Sequence, residues 1–270
     1  MKFSVLLSLY YKESPVFLQE SLESIFCQIR LPDEVVLVED GPLTPELYQV
    51  VTKFEKEHPE LKVVALEKNG GLGRALNEGL KHCSYELVAR MDTDDICKPE
   101  RFAKQVAFME KHPEVDVVGA WIDEFQGDTS HVSSTRKLPE ASEEIVAFGK
   151  KRNPMNHPVV MFRKSAVEAV GSYLPFYLFE DYYLWVRMLL NGATFYNIQE
   201  SLLYFRLSPK MFKRRGGLKY ACVEISFLWK LYCLGYTSFV TTCMNICIRI
   251  AARIIPNSLR SWVYKKMLRN

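Results

Sequence analysis

Between Met1 and Met91 a short apolar run, a polar turn and a helical pattern follow one another repeatedly, and this rhythm restricts the fold more than any single motif does. The runs are Phe3 to Leu9 (FSVLLSL), Glu34 to Glu39 (EVVLVE), Leu61 to Leu66 (LKVVAL) and Glu86 to Met91 (ELVARM). They are apolar along their length rather than at alternate positions, as strands buried on both faces are. Ser14-Pro15 opens a helix with Leu18, Leu22, Ile25 and Phe26 on one side, Thr44-Pro45 opens a second, and a third is predicted over Leu72 to His82. Strands that alternate with helices pair in parallel, because a crossover is needed to bring the chain back in the same direction. The expected fold class is therefore α/β, a mainly parallel, Rossmann-like central sheet with helices on both faces.

Further along, the pattern predicts a helix between Pro99 and Pro113 and a strand from Val115 to Trp121. A polar, flexible excursion over 126–138 comes next, then a helix near 140–150 and a strand from Val159 to Arg163. A helix from about Asp181 is stopped by Gly192. With 48% apolar and 13% aromatic residues, the 270-residue chain has ample material for a core, which excludes a disordered protein. The length fits one large domain with a C-terminal appendage.

In open α/β sheets ligands bind beyond the carboxyl ends of the strands. The polar residues at those ends are Asp40 after the second run, Asn69-Gly70-Gly71 after the third, and Asp92, Asp94 and Asp95 after the fourth. Three aspartates in ARMDTDD repel one another, and a divalent cation would offset that repulsion. The plainer reading is a solvated turn capping the next helix.

Taken in order, VEDG (38–41), NGGLGRALNEG (69–79), ARMDTDD (89–95), NHPVVMFRKSAVEAVGSY (156–173) and FEDYYLWVRMLLNG (179–192) resemble the inverting family 2 glycosyltransferases of GT-A fold. Among these the chain is most similar to bacterial enzymes of O-antigen, capsule or exopolysaccharide synthesis. The resemblance implies a nucleotide-sugar half over 1–120, an acceptor half over 121–209 and a separate tail over 210–270. It implies Mn2+ or Mg2+ as cofactor, with Asp94 and Asp95 as ligands, and a nucleotide-sugar site that includes Asp40 on the uracil ring, Asn69, Gly71, Arg74, Asn77, Asp92 and Asp94. Asp92 would also support a basic neighbour such as Arg90. Asp181 would be the general base that removes the proton of an acceptor hydroxyl, and Glu180 would orient it; a helix-dipole role is the simpler alternative for Asp181. His157 and Arg206 are expected at the acceptor or diphosphate. Two departures matter. The histidine that many relatives carry after the Tyr-Arg strand end is replaced by Leu207-Ser208-Pro209-Lys210, leaving Lys210, Lys213, Arg214 or Arg215 to neutralise the diphosphate. The Gln-x-x-Arg-Trp signature of processive polymerases is absent, so a single addition is expected.

The implied reaction moves galactose or glucose from a UDP-sugar to a polyprenyl-diphosphate-linked sugar. A polyprenyl-phosphate sugar synthase and a non-catalytic nucleotide-sugar-binding scaffold are the alternatives.

Residues 210–270 hold twelve Lys/Arg against the single acid Glu224, a charge of +11, which leaves −8 for residues 1–209 of a chain whose net is +3. A basic, apolar tail behind an acidic body points to an anionic membrane surface and not to nucleic acid. Between Lys230 and Arg249 the eighteen residues LYCLGYTSFVTTCMNICI carry no charge but are only moderately apolar, and Pro256 follows. A helix lying in the interface suits them better than a span; packing on the body, or on a second copy in a homodimer, is the other occupancy they allow. Seven scattered cysteines without CxxC suit a reducing compartment, and the apolar stretch after Lys2 is too short for a signal sequence. The expected location is cytoplasmic, peripheral on the inner face of the cell membrane.

Overall fold

The computed structural model describes residues 1–208 and 217–254. Its first half runs β1 (Phe3–Leu9), α1 (Pro15–Phe26), β2 (Glu34–Glu39), α2 (Pro45–Glu57), β3 (Leu61–Ala65), α3 (Leu72–His82), β4 (Leu87–Arg90), β5 (Ile96–Cys97) and α4 (Arg101–Lys111). The second half runs β6 (Val117–Phe125), β7 (Val132–Arg136), α5 (Ser142–Gly149), β8 (Met161–Arg163), α6 (Lys164–Glu168), α7 (Glu180–Leu190) and β9 (Phe195–Arg206), followed by α8 (Gly217–Cys233) and α9 (Phe239–Ile254).

One sheet carries the order β3-β2-β1-β4-β8-β6-β9-β5, with β7 added on β6. β3, β2, β1 and β4 are parallel, as are β6 and β9, whereas β8 runs antiparallel between β4 and β6. The expectation of a mainly parallel sheet holds. The central strands β1 and β2 are buried on both sides: Phe3, Val5, Leu7 and Leu9 of β1 join the core under α1, α2 and α4, while Leu6 joins the opposite core under α3 and α7. Val35 and Leu37 of β2 divide from Val36 and Val38 in the same way. Contact on the second side is close because Gly79 of α3 has no side chain; a Cβ there would lie 2.4 Å from Leu6 Cδ1 and 2.6 Å from Val38 Cγ2.

Three differences from the sequence reading stand out. Residues 126–138 are not a free excursion, since β7 within them pairs antiparallel with β6; its sequence VSSTR is polar because the strand is exposed or half-buried along its length. β9 has twelve residues, of which only the end at Arg206 was anticipated; exposed Gln199 and Glu200 interrupt its apolar pattern. The uncharged run 231–248 is broken at Gly235, whose φ of +75° ends α8, and Ser238 starts α9 by accepting from Thr241 N at 3.2 Å. Among the described residues no helix is long and apolar enough to cross a membrane. Lys210, Lys213, Arg214, Arg215 and Pro256 lie outside the described residues.

Candidate active site

The aspartate turn leaves β4 at the carboxyl edge of the parallel strands, where Met91 N still donates to Leu6 O at 3.1 Å. One carboxylate oxygen from each of Asp92, Asp94 and Asp95 falls within 4.8 Å of the others. Asp92 pairs with Arg90, whose guanidinium is fully buried while its Nε and Nη1 have no hydrogen-bond partner. Asp95 is fully buried: its Oδ1 accepts from Arg206 N at 2.9 Å and its Oδ2 meets no donor. Glu13, just past β1, adds a fourth charge, and its field acts on Asp94.

Burial, then the neighbouring charges of Asp92 and Glu13, pushes the Asp94 carboxyl up to about 7. Burial and the charges of Asp94 and Asp92 hold Asp95 well above the carboxylate range. Glu34, at the opposite end of β2, shows what a structural carboxylate looks like. Burial opposes its charge, yet Lys62, Ser4 and Ser84 outweigh that and bring it down to about 2. In the cluster, Asp95 Oδ2 lacks such a partner. A buried carboxylate oxygen without a donor, among converging acids, fits a hard divalent cation.

This arrangement predicts a pH dependence. Carboxyls whose folded-state values are raised are most stabilising when protonated, so their contribution is present below the unfolded value and is lost as pH rises through the folded one. In EDTA the melting temperature is therefore expected to fall between about pH 5 and pH 8, by about 5 °C or more. Mn2+ is expected to abolish that fall. Calorimetry across the pH series checks it, and a flat metal-free curve would remove the strain argument.

Arg206, expected at the acceptor or diphosphate, lies against the aspartate turn. Its Nε donates to Asp94 O at 2.8 Å, its Nη2 pairs with Glu20, and its guanidinium lies between Phe17 and Phe125, 4.0 and 4.6 Å from their ring centres. It clamps the aspartate turn to β9, and its guanidinium is already engaged on several sides.

At the end of β2, Asp40 is almost completely buried. Its two carboxylate oxygens accept from Gly70 N at 2.7 Å and Gly71 N at 2.9 Å, while its carbonyl accepts from Asn69 Nδ2 at 3.1 Å. Asp40 thus shapes the glycine turn, and each oxygen keeps one lone pair. The two turns meet closely, since a Cβ on Gly41 would lie 2.5 Å from Asn69 N. Arg74 is exposed and folds over Gly70. Asn77 is not an open pocket wall: its amide donates to Tyr173 O at 2.7 Å and accepts from Tyr173 N at 2.8 Å, fixing the 171–173 segment to α3.

Asp181 stands in the first turn of α7, half-buried, and accepts from Asn153 Nδ2 at 2.6 Å. Burial raises its carboxyl above the ordinary value, while hydrogen bonds from Tyr182 N and Asn153 and the charges of Arg90 and Arg136 restrain the rise. Glu180 beside it is also raised, by burial first, and faces the bare side of Gly73 at the start of α3. Asp92 and Asp181 act on the same two buried groups, the Arg90 guanidinium and the Tyr173 hydroxyl. Asp92 and Asp181 therefore share the electrostatic surroundings of Arg90 and Tyr173. His157, expected at the acceptor or diphosphate, is buried against Trp185 with its Nε2 2.9 Å from Tyr173 Oη, and burial with the nearby Arg90 charge keeps it neutral.

A family profile, Glycosyl transferase family 2, matches residues 4–171, which contain both the aspartate cluster and the glycine turn. The chain belongs to this family. It is a family 2 glycosyltransferase, 46% identical over the full length of both chains to a Haemophilus influenzae glycosyltransferase. It is 41% identical, over 99% of this chain and 97% of the relative, to the Escherichia coli UDP-Gal:alpha-D-GlcNAc-diphosphoundecaprenol beta-1,3-galactosyltransferase. The amylovoran biosynthesis glycosyltransferase AmsE of Erwinia amylovora is also 41% identical, over 98% of both. Among solved structures, residues 1–349 of Staphylococcus aureus TarS superpose with a TM-score of 0.66 at 23% identity, covering 99% of this chain and 75% of that one. The mannosyltransferase PcManGT from Pyrobaculum calidifontis, solved with GDP-Man and Mn2+, gives 0.66 at 16% identity over 99% and 80%. These two establish the fold, the mixed α/β GT-A arrangement.

For this glycosyltransferase the sequence reading passed over Glu13, Asn153 and Tyr10. Tyr10 is half-buried at the end of β1, on the rim that carries Asp40. Position directly after the first strand was the available signal for Tyr10 and Glu13. Asn153 gave none, because its partner is 28 residues away.

Proposed function

We propose that this glycosyltransferase transfers one galactose from UDP-galactose, with inversion, to the sugar of a polyprenyl-diphosphate-linked acceptor during surface polysaccharide synthesis. The observation that carries the reading is the cluster of Asp92, Asp94 and Asp95 at the carboxyl edge of the sheet, beside the buried Arg90 and with one Asp95 oxygen left without a donor. The end-to-end match to an E. coli galactosyltransferase favours galactose over glucose and supports the lipid-linked acceptor.

Asp94 and Asp95, backed by Asp92, would hold Mn2+ or Mg2+, which supplies Lewis-acid charge for a diphosphate leaving group. Asp40 keeps a lone pair on each oxygen for a base N–H. Arg74, exposed over the glycine turn, can reach phosphate. Asp181 takes the proton of the attacking acceptor hydroxyl, and Asn153 fixes which of its oxygens faces outward.

Transfer from UDP-galactose, UDP-glucose, UDP-GlcNAc and GDP-mannose to a synthetic GlcNAc-diphospho-lipid tests this. UDP-galactose is expected to lead by about tenfold or more in kcat/KM, with an inverted anomeric centre in the product by NMR. A best rate with GDP-mannose would overturn the donor assignment. Preferential transfer to a polyprenyl phosphate would instead make the protein a lipid-phosphate sugar synthase.

A further inference from the structure

Helix α9 is inside out for a helix in water. Its polar side chains point at the protein: Thr242 meets Thr237 at 2.9 Å, Asn245 Nδ2 donates to Lys150 O at 2.8 Å, and Arg249 Nη2 donates to Lys151 O at 3.0 Å with Glu224 3.5 Å from its Nε. Apart from Ile246, which packs on the body, its large apolar side chains point away, with Phe239 55%, Val240 65%, Met244 58% and Ile248 61% exposed. At about 100° per residue these four and exposed Cys247 occupy one half of the helix. That half holds no charge between Phe239 and Ile248. The face continues onto α8 through an aromatic row, Phe239 to Tyr232 at 5.8 Å and Tyr232 to Trp229 at 5.2 Å, in which Trp229 is 48% exposed.

The α8–α9 pair is not loosely attached. Phe227, Leu228, Leu231 and Tyr236 pack on Tyr182, Tyr183 and Val186 of α7, and Tyr236 Oη donates to Val146 O at 3.0 Å. The orientation of the pair is therefore fixed by the body, with its apolar half outward.

We infer that the outer face of α8 and α9 is a bilayer-docking surface specific for anionic lipid, on which the enzyme lies without spanning. An exposed, contiguous apolar half-helix is costly in water and favourable among acyl chains. Trp229 and Tyr232 have the amphipathic rings that settle at headgroup level. Charge selects the lipid: exposed Lys150 and Lys151 end α5, where their carbonyls receive Asn245 and Arg249, and the sequence beyond residue 209 carries +11. A sixteen-residue helix is about 24 Å long, short of the ~30 Å hydrocarbon core. The inference concerns the surface alone and stands whichever donor and acceptor the site takes.

Flotation with phosphatidylcholine vesicles, with and without phosphatidylglycerol, tests it on the full-length protein. Wild type is expected to float with the anionic vesicles, and Val240→Asn/Met244→Gln/Ile248→Asn to bind them about tenfold or more weakly with an unchanged melting temperature. Lys150→Glu/Lys151→Glu is expected to lose the preference for phosphatidylglycerol. The triple variant, whose substitutions lie outside the active site, should retain full donor hydrolysis, which separates a docking failure from a failed enzyme. Equal flotation of wild type and triple variant would overturn the inference. So would a wild type that ignores vesicles and forms a dimer which the triple variant dissolves, because the face would then belong to a second copy.

Discussion

Asp95→Asn is expected to give a protein that is at least as stable as wild type without metal and about 10^3-fold slower in transfer. The side chain is buried, it satisfies only one of its oxygens, and burial with two neighbouring aspartates resists its ionisation. An amide keeps the shape and can still accept from Arg206 N through its oxygen, while removing a charge that the metal-free fold does not need. A residue retained for folding would behave in the opposite way, losing stability before activity. Melting curves in EDTA, together with kcat under saturating Mn2+, decide between the two. A variant that is destabilised yet fully active would place Asp95 among structural turn residues.

Asp181→Asn is expected to lower kcat by about 10^3-fold with little change in the KM for the donor, the effect of losing a general base. A base works only when ionised, so the rate should fall as pH falls through its pKa. The Asp181 carboxyl is raised by burial, which puts that acidic limb above the ordinary carboxylate range of about 4. The bond from Asn153 stabilises the ionised form, so Asn153→Ala should move the limb to still higher pH while leaving the plateau rate far above that of the Asp181 variant. The pH profile of kcat/KM for the three proteins is the measurement. An acidic limb that stays in place when Asn153 is removed would mean that another group is being titrated.

The first ninety residues were legible because three of the four apolar runs are buried on both faces and each helix opens on Ser-Pro, Thr-Pro or a glycine turn. The placement of Asp40, Asp92, Asp94 and Asp95 on one rim followed from that regularity alone. The second half was less legible, since β7 and β9 carry polar residues wherever an edge or a bulge lets them meet water. Local pattern cannot register such tertiary permission. Which polar side chains are already engaged was hidden for a different reason. His157, Asn77 and Arg206 have the chemistry of functional groups, yet each is taken by a partner far along the chain: Tyr173 for the first two, and Asp94 and Glu20 for the third. Whether a polar side chain is free or engaged depends on contacts 16 to 186 residues away.

Glu34 and Asp40 begin and follow the same strand, and the sheet is therefore polarised along its length. One edge is sealed by a carboxylate gripped by Lys62, Ser4 and Ser84, and the other carries Asp40 and the cluster of Asp92, Asp94 and Asp95. With ~3.3 Å per residue the two edges are about 20 Å apart, beyond the distance at which substitutions usually couple. Robustness and turnover can drift independently in such a protein: the Glu34 edge can be reinforced or weakened with additive effects on unfolding, while the rim is reshaped for a different sugar without disturbing the strand that holds it.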